Sequence, residues 1–134
     1  MKVQPVEAMR KLEESYKIFK GIQNQVGMAK ALDYMGDSLV LLGRHEEALG
    51  KRKEAYEILR SYGDPLGIGN ALKSLGEVLM ALERYSEAEE KYRQPLELFE
   101  RIRIPRGEAN VLLRMSKALI MTEKENGKEG GCGL

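Results

Sequence analysis

The chain repeats itself at an interval of 40 residues. Gly27, Gly67 and Gly107 fall in register, as do Leu32, Leu72 and Leu112, and then Leu39, Leu79 and Leu119. Gly36 matches Gly76, Arg44 matches Arg84, and Glu7, Glu47 and Glu87 stand beside Ala8, Ala48 and Ala88. A fixed period of this length specifies a solenoid. Each unit is a hairpin too small to bury its own apolar face, and stacking on a neighbour supplies the cover. Such an array leaves an extended surface open to a partner.

Apolar spacing identifies the hairpin as helical. Met9, Leu12, Tyr16 and Phe19 recur at 3-4-3 intervals, and Leu32, Met35 and Leu39 at 3-4. Ala48, Ala55, Tyr56 and Leu59 follow, then Leu72, Leu75 and Leu79, then Tyr85, Ala88, Tyr92, Leu96 and Phe99, and last Leu112, Met115 and Leu119. No segment alternates as a strand would. The pattern predicts an all-α chain, an α-solenoid of antiparallel helix hairpins with about six helices. Full copies lie near 25–62 and 65–102, half-copies at 5–22 and 105–122, and the repeat domain spans 1–122. Residues 123–134 lack an apolar stripe, are rich in Gly, Lys and Glu, and read as a flexible tail.

The punctuation agrees with this division. Gly43 stands where a left-handed helix cap is wanted, and Gly63-Asp64-Pro65 offers a stop, an N-cap carboxylate and a first-turn proline. Pro105 opens the sixth helix in the register of Pro65, although Ile104 before it has no capping group. Pro95 falls in a helix interior, in register with Ala55, and predicts a kink. Glu13–Lys17, Glu47–Lys51, Glu89–Arg93 and Glu97–Arg101 are spaced for i,i+4 ion pairs on solvated faces.

The segment Ala31-Leu32-x-x-Met35-Gly36-x-x-Leu39-x-x-Leu42-Gly43-Arg44-His45-x-Glu47-Ala48 resembles a tetratricopeptide repeat, and Ala71-Leu72 through Glu87-Ala88 is its second copy. Gly36 and Gly76 read as points where two helix backbones approach closely, with Ala48 and Ala88 at the crossing of the paired helix. A third, partial copy has Ser116 in the glycine position. The period is longer than the usual unit of the family and is similar to the variant in cell-polarity adaptors, kinesin light chains and sensor arms of signalling ATPases. The resemblance implies a right-handed superhelix whose concave side is built from the first helix of each repeat. It places Lys30, Asp33, Asp37 and Val40 on that side, then Asn70, Lys73, Glu77 and Met80, then Asn110, Leu113, Lys117 and Ile120.

The function expected from the resemblance is a non-catalytic scaffold or adaptor that binds an extended or helical peptide in the groove. In this reading the asparagines meet peptide backbone, Met80 and Ile120 take apolar side chains, and Lys73 and Lys117 pair with carboxylates. The Lys and Asn clamp by which some members hold a terminal carboxylate is not reproduced, since Asp33, Asp37, Lys73 and Glu77 stand there. The alternative is an oligomerising or regulatory arm of a larger signalling protein. The first and last helices each lack the neighbour that would cover them, so end-to-end stacking or helix exchange between copies is expected.

Other functions find little support. Lys plus Arg number 22 against 21 Asp plus Glu, a net charge of +1 that gives no reason to expect nucleic acid. There is no apolar run of membrane-spanning length, and the single cysteine, Cys132, makes no internal disulfide, so the expected setting is cytoplasmic. Gly67-Ile68-Gly69-Asn70-Ala71-Leu72-Lys73-Ser74 lacks the glycine that a phosphate loop places before Lys-Ser. His45 aligns with Tyr85 and reads as a packed ring; the sequence presents no metal set, no catalytic constellation and no cofactor motif.

Overall fold

The structure, a computed structural model, describes residues 4–62 and 64–130. Six helices follow one another: α1 (Gln4–Gly21), α2 (Gln25–Leu41), α3 (His45–Tyr62), α4 (Pro65–Ala81), α5 (Tyr85–Arg101) and α6 (Pro105–Gly130). No strand occurs among the described residues. Each helix packs on its successor, and α2 also touches α4, so the fold is the all-α solenoid that the repeat implies. From α2 onward the helices begin at residues 25, 45, 65, 85 and 105. The 40-residue repeat is therefore two identical steps of helix and turn.

The turn sets that step. Gln23, Gly43, Glu83 and Arg103 all have positive φ, at 59°, 76°, 59° and 56°. The amide after each bonds a carbonyl five residues back: Asn24 to Phe19, Arg44 to Leu39 and Arg84 to Leu79 at 2.8 Å, Ile104 to Phe99 at 2.9 Å. This Schellman arrangement satisfies the last carbonyls of each helix. Gly43 is the left-handed cap expected of it. Gln23, Glu83 and Arg103 hold the same conformation with a side chain, and a search for glycine passes over them. Gly63, in the same register, lies outside the described residues.

Entry to the helices differs from expectation in detail. Asn24 caps α2, its Oδ1 accepting from the Gly27 amide at 2.9 Å. Asp64 stands at the N-cap of α4 ahead of Pro65, but its side chain makes no capping bond. Arg44 and Arg84 reach Glu47 and Glu87 at i+3, with Nη2 to carboxylate at 2.6 and 2.7 Å. Of the four expected i,i+4 pairs only Glu89–Arg93 forms among the described residues. Glu47 is taken by the bidentate fork of Arg44, which outcompetes the point charge of Lys51.

The core lies between successive helices. Leu39, Leu49, Leu72, Leu75, Val78, Leu79, Tyr92, Phe99 and Val111 belong to one buried cluster, and Ala29, Leu32, Met35 and Ala55 form a second against which Leu12 and Tyr16 pack. Each fully buried Leu contributes about 1.5–3 kcal/mol, so the stack rather than any single hairpin carries the stability. Pro95 is buried, and α5 continues through it from Tyr85 to Arg101.

Two expectations need correction. The glycines Gly36 and Gly76 do not serve a backbone-to-backbone approach. A Cβ on Gly36 would meet Arg52 Nε at 2.6 Å, and one on Gly76 would run into the Tyr92 ring. The missing side chains make room for side chains of the paired helix. The flexible tail from 123 is the second: α6 runs on to Gly130. Glu123, Lys124 and Glu125 are good helix formers, and lack of an apolar stripe removes burial without removing backbone hydrogen bonds. Residues 131–134, with Cys132, lie outside the described residues.

Candidate functional site

The first helices of the repeats, α2, α4 and α6, line three clefts. Between α2 and α4 lies a cleft of about 330 Å³ walled by Lys30, Asp33, Tyr34, Asp64, Asn70 and Ser74 over a floor that includes Ala29, Ala55, Leu59 and Ala71. Further along the same helix pair, Asp37, Val40, Leu41, Arg52, Glu77 and Val78 enclose about 350 Å³. Between α4 and α6, Glu77, Met80, Ala81, Tyr85, Lys117 and Met121 enclose about 380 Å³.

One buried cation organises this face. Arg52 of α3 is 4% exposed. Its stem crosses Gly36 of α2, and its guanidinium emerges between the two first helices. Nη1 donates to the Ser74 carbonyl of α4 at 2.9 Å and stands 3.9 Å from Glu77, Nη2 donates to Asp37 of α2, and Nε is 3.9 Å from Asp33. Glu77 in turn meets Arg114 of α6 at 2.8 Å. The chain of charges thus ties α2 to α4 and α4 to α6. Nε of Arg52 has no hydrogen-bond partner, because Gly36 covers it.

The charges shift one another. Burial holds the Asp33 carboxyl above its usual value; Arg52 and a hydrogen bond with Ser74 oppose that rise, while the neighbouring Asp37 and Glu77 add to it. Burial also pushes the Tyr92 phenol up to about 12, Glu77 adding and Arg114 opposing. Tyr92 is the residue of α5 in register with Arg52, and its ring fills the space over Gly76.

The residues expected on this face divide into three sets. Lys30, Asp33 and Asn70 come together in the first cleft, Asp37 and Glu77 in the second, and Glu77, Met80 and Lys117 in the third. Lys73 is half-buried and Asn110 and Leu113 are exposed, and none of the three lines these clefts. Among the described residues neither Lys73 nor Lys117 forms an ion pair. The sequence reading missed Arg52, Ser74, Tyr34 and Arg114. The signal for Arg52 was its register: a cation at the position of Tyr92, opposite a repeated glycine.

Among the described residues no group of three or more His, Cys, Asp or Glu is arranged to hold a metal ion. The arrangement is a surface for contact, with hydrogen-bonding and charged groups set on apolar floors. In comparison with known proteins, a family model described as tetratricopeptide repeat matches residues 27–101, from the first turn of α2 to the end of α5. A search of curated proteins finds no match to the chain.

Proposed function

The chain belongs to the tetratricopeptide repeat family, whose repeats mediate contacts between proteins, and we propose on that premise that it is a non-catalytic module holding a peptide segment of a protein partner against α2, α4 and α6. The observation that supports this reading is the row of clefts along those three helices. Each has an apolar floor for a side chain and polar rims for a backbone. Lys30 and Asn70 flank the first cleft and Lys117 the third, all exposed to a guest. Among the described residues no helix is long and apolar enough to cross a membrane. A scaffold or adaptor in a cytoplasmic signalling assembly is the setting we propose.

The test is a panned peptide library. Peptides selected on the intact chain are expected to lose roughly tenfold or more in affinity when Lys30 and Lys117 are both replaced by Glu, with the helical circular-dichroism spectrum unchanged. Affinity unaltered by that reversal, and by Asn70→Ala, moves the binding surface elsewhere. A second reading, self-association through the terminal helices, is favoured by the open apolar stripe of α6, on which Leu112, Leu113, Leu119 and Ile120 are all exposed.

A further inference from the structure

We infer that a second copy of the chain docks its α1 on the open face of α6, completing the third hairpin in the register already used twice inside each copy. This rests on the self-association reading and adds which two faces meet.

The exposure of equivalent residues locates the vacancy. Leu32 and Leu72 are each 2% exposed and Leu112 is 52%; Leu39 and Leu79 are 1% and 2%, and Leu119 is 46%. The face that α3 covers on α2, and α5 on α4, is open on α6. Meanwhile α1 carries the pattern of α3 and α5, with Ala8, Leu12 and Ser15 in register with Ala48, Arg52 and Ala55. It packs on α2 through Phe19, whose ring lies against Gly27 as that of Phe99 lies against Gly107. Elsewhere on α1, Ala8 and Ser15 are only half-buried, as are Met9 and Leu12, which pack toward the cluster of α2 and α3, whereas Ala48, Leu49, Arg52 and Ala55 are buried. Among the described residues, α6 is thus a first helix whose pairing face is open, and α1 a second helix whose pairing face is half open.

Side-chain size singles out this occupant. The glycine of the first helix admits a large residue from the second: Arg52 over Gly36, Tyr92 over Gly76. On α6 that glycine is Ser116, and on α1 the crossing residue is Leu12, smaller than either. Serine under leucine keeps the summed volume near that of glycine under tyrosine, which a close-packed contact requires. At the other end Ala109 replaces Gly69, where an added Cβ would come within 2.9 Å of Phe99. Phe19 of the second copy consequently sits further out, and the contact is weaker than that of α4 with α5. Because the two faces differ, the contact is head-to-tail, and since it repeats the step by which the solenoid itself advances, copies add along that solenoid.

Sedimentation of the full chain tests this with two variants. One carries Leu112→Arg and Leu119→Arg on α6, the other Ser15→Arg on α1. The wild-type mass is expected to rise with concentration without a plateau. Each variant alone is expected to stay a single chain to roughly tenfold higher concentration, and their equimolar mixture to form a two-chain species and nothing larger. A wild type that stays a single chain at high-micromolar concentration overturns both the docking and the self-association reading. Association that survives Ser15→Arg but not the leucine changes overturns the α1 docking alone, as does a mixture that fails to pair. Circular dichroism checks that helicity is kept, and Ala8→Arg replaces Ser15→Arg if it is not.

Discussion

Arg52 lies across Gly36 at the position where, one repeat later, Tyr92 lies across Gly76. The same backbone step therefore accepts a flexible cation or a rigid ring, provided the residue beneath has no Cβ. The two differ in what they reach. The ring ends near Glu77 and Arg114, while the guanidinium passes between α2 and α4 and bonds the Ser74 carbonyl and Asp37.

Alanine in place of either glycine is expected to destabilise the fold unequally. Overpacking of this kind costs about 1–3 kcal/mol, offset by up to about 1 kcal/mol from the better helix propensity of alanine. The Tyr92 ring cannot bend away, so Gly76→Ala is expected to lose about 2 kcal/mol net. The Arg52 stem can swing at the expense of its bond to Asp37, so Gly36→Ala is expected to lose about 1 kcal/mol. Urea midpoints at constant slope measure both, and equal losses would contradict the difference in stiffness.

Exchanging Arg52 itself separates packing from charge. Arg52→Ala empties the space over Gly36 and leaves Asp37 without its partner, although half of that side chain is already in solvent. A loss of about 2–3 kcal/mol is expected, below the 3–5 of a fully buried broken pair. Arg52→Tyr restores the ring that the second repeat uses, and is expected to stay within about 1 kcal/mol of wild type. Should Arg52→Tyr fall as far as Arg52→Ala in the same titration, the ion pairs rather than the packing hold this hairpin.

The solenoid was legible because its contacts are local: every helix leans on the next, so a register of Gly, Leu and Ala contains the fold. The placing of Asp33 and Asp37 along α2, and of Asn70 and Glu77 along α4, was legible for the same reason, being a 3.6-residue periodicity within each helix. Arg52 was not, because periodicity assigns an arginine to solvent, and its partners stand 15 and 22 residues away on two other helices. The cap residues Gln23, Glu83 and Arg103 were hidden differently. Their left-handed backbone is imposed by the repeat, and nothing in their side chains announces it.

Those three positions are expected to be sites of easy stabilisation. A residue with a Cβ in the left-handed region costs roughly 1–2 kcal/mol, partly offset by the greater unfolded-chain freedom of glycine, about 0.5–1 kcal/mol. Gln23→Gly, Glu83→Gly and Arg103→Gly are each expected to add about 0.5–1 kcal/mol. Gly43→Ala is expected to remove a similar amount, and since nothing lies within 4 Å of a Cβ placed there, the loss would be conformational alone. Guanidinium unfolding of the four variants decides it; destabilisation by the new glycines would mean that the three side chains hold contacts worth more than the strain.

Tyr92 makes the fold sensitive to alkali. Its pKa rises from 10.0 to about 12, burial being the larger cause and the Glu77 charge the next, with Arg114 opposing. A folded-state pKa above the unfolded one means that the native phenol keeps its proton where the unfolded one has lost it. The stability linked to this proton is complete below pH 10 and disappears as pH climbs through 12. Two units correspond to about 2–3 kcal/mol. Tyr85, also raised by burial, contributes in the same direction. Thermal midpoints between pH 9 and 12, followed with tyrosinate absorbance, are therefore expected to fall less steeply in Tyr92→Phe than in the wild type. Arg114 gives the matching control. With its charge removed in Arg114→Gln, the phenol loses the group that opposes its rise, and tyrosinate formation at this site is expected at still higher pH. An unchanged alkaline slope in Tyr92→Phe would assign the loss to the other tyrosines and free Tyr92 of any part in it.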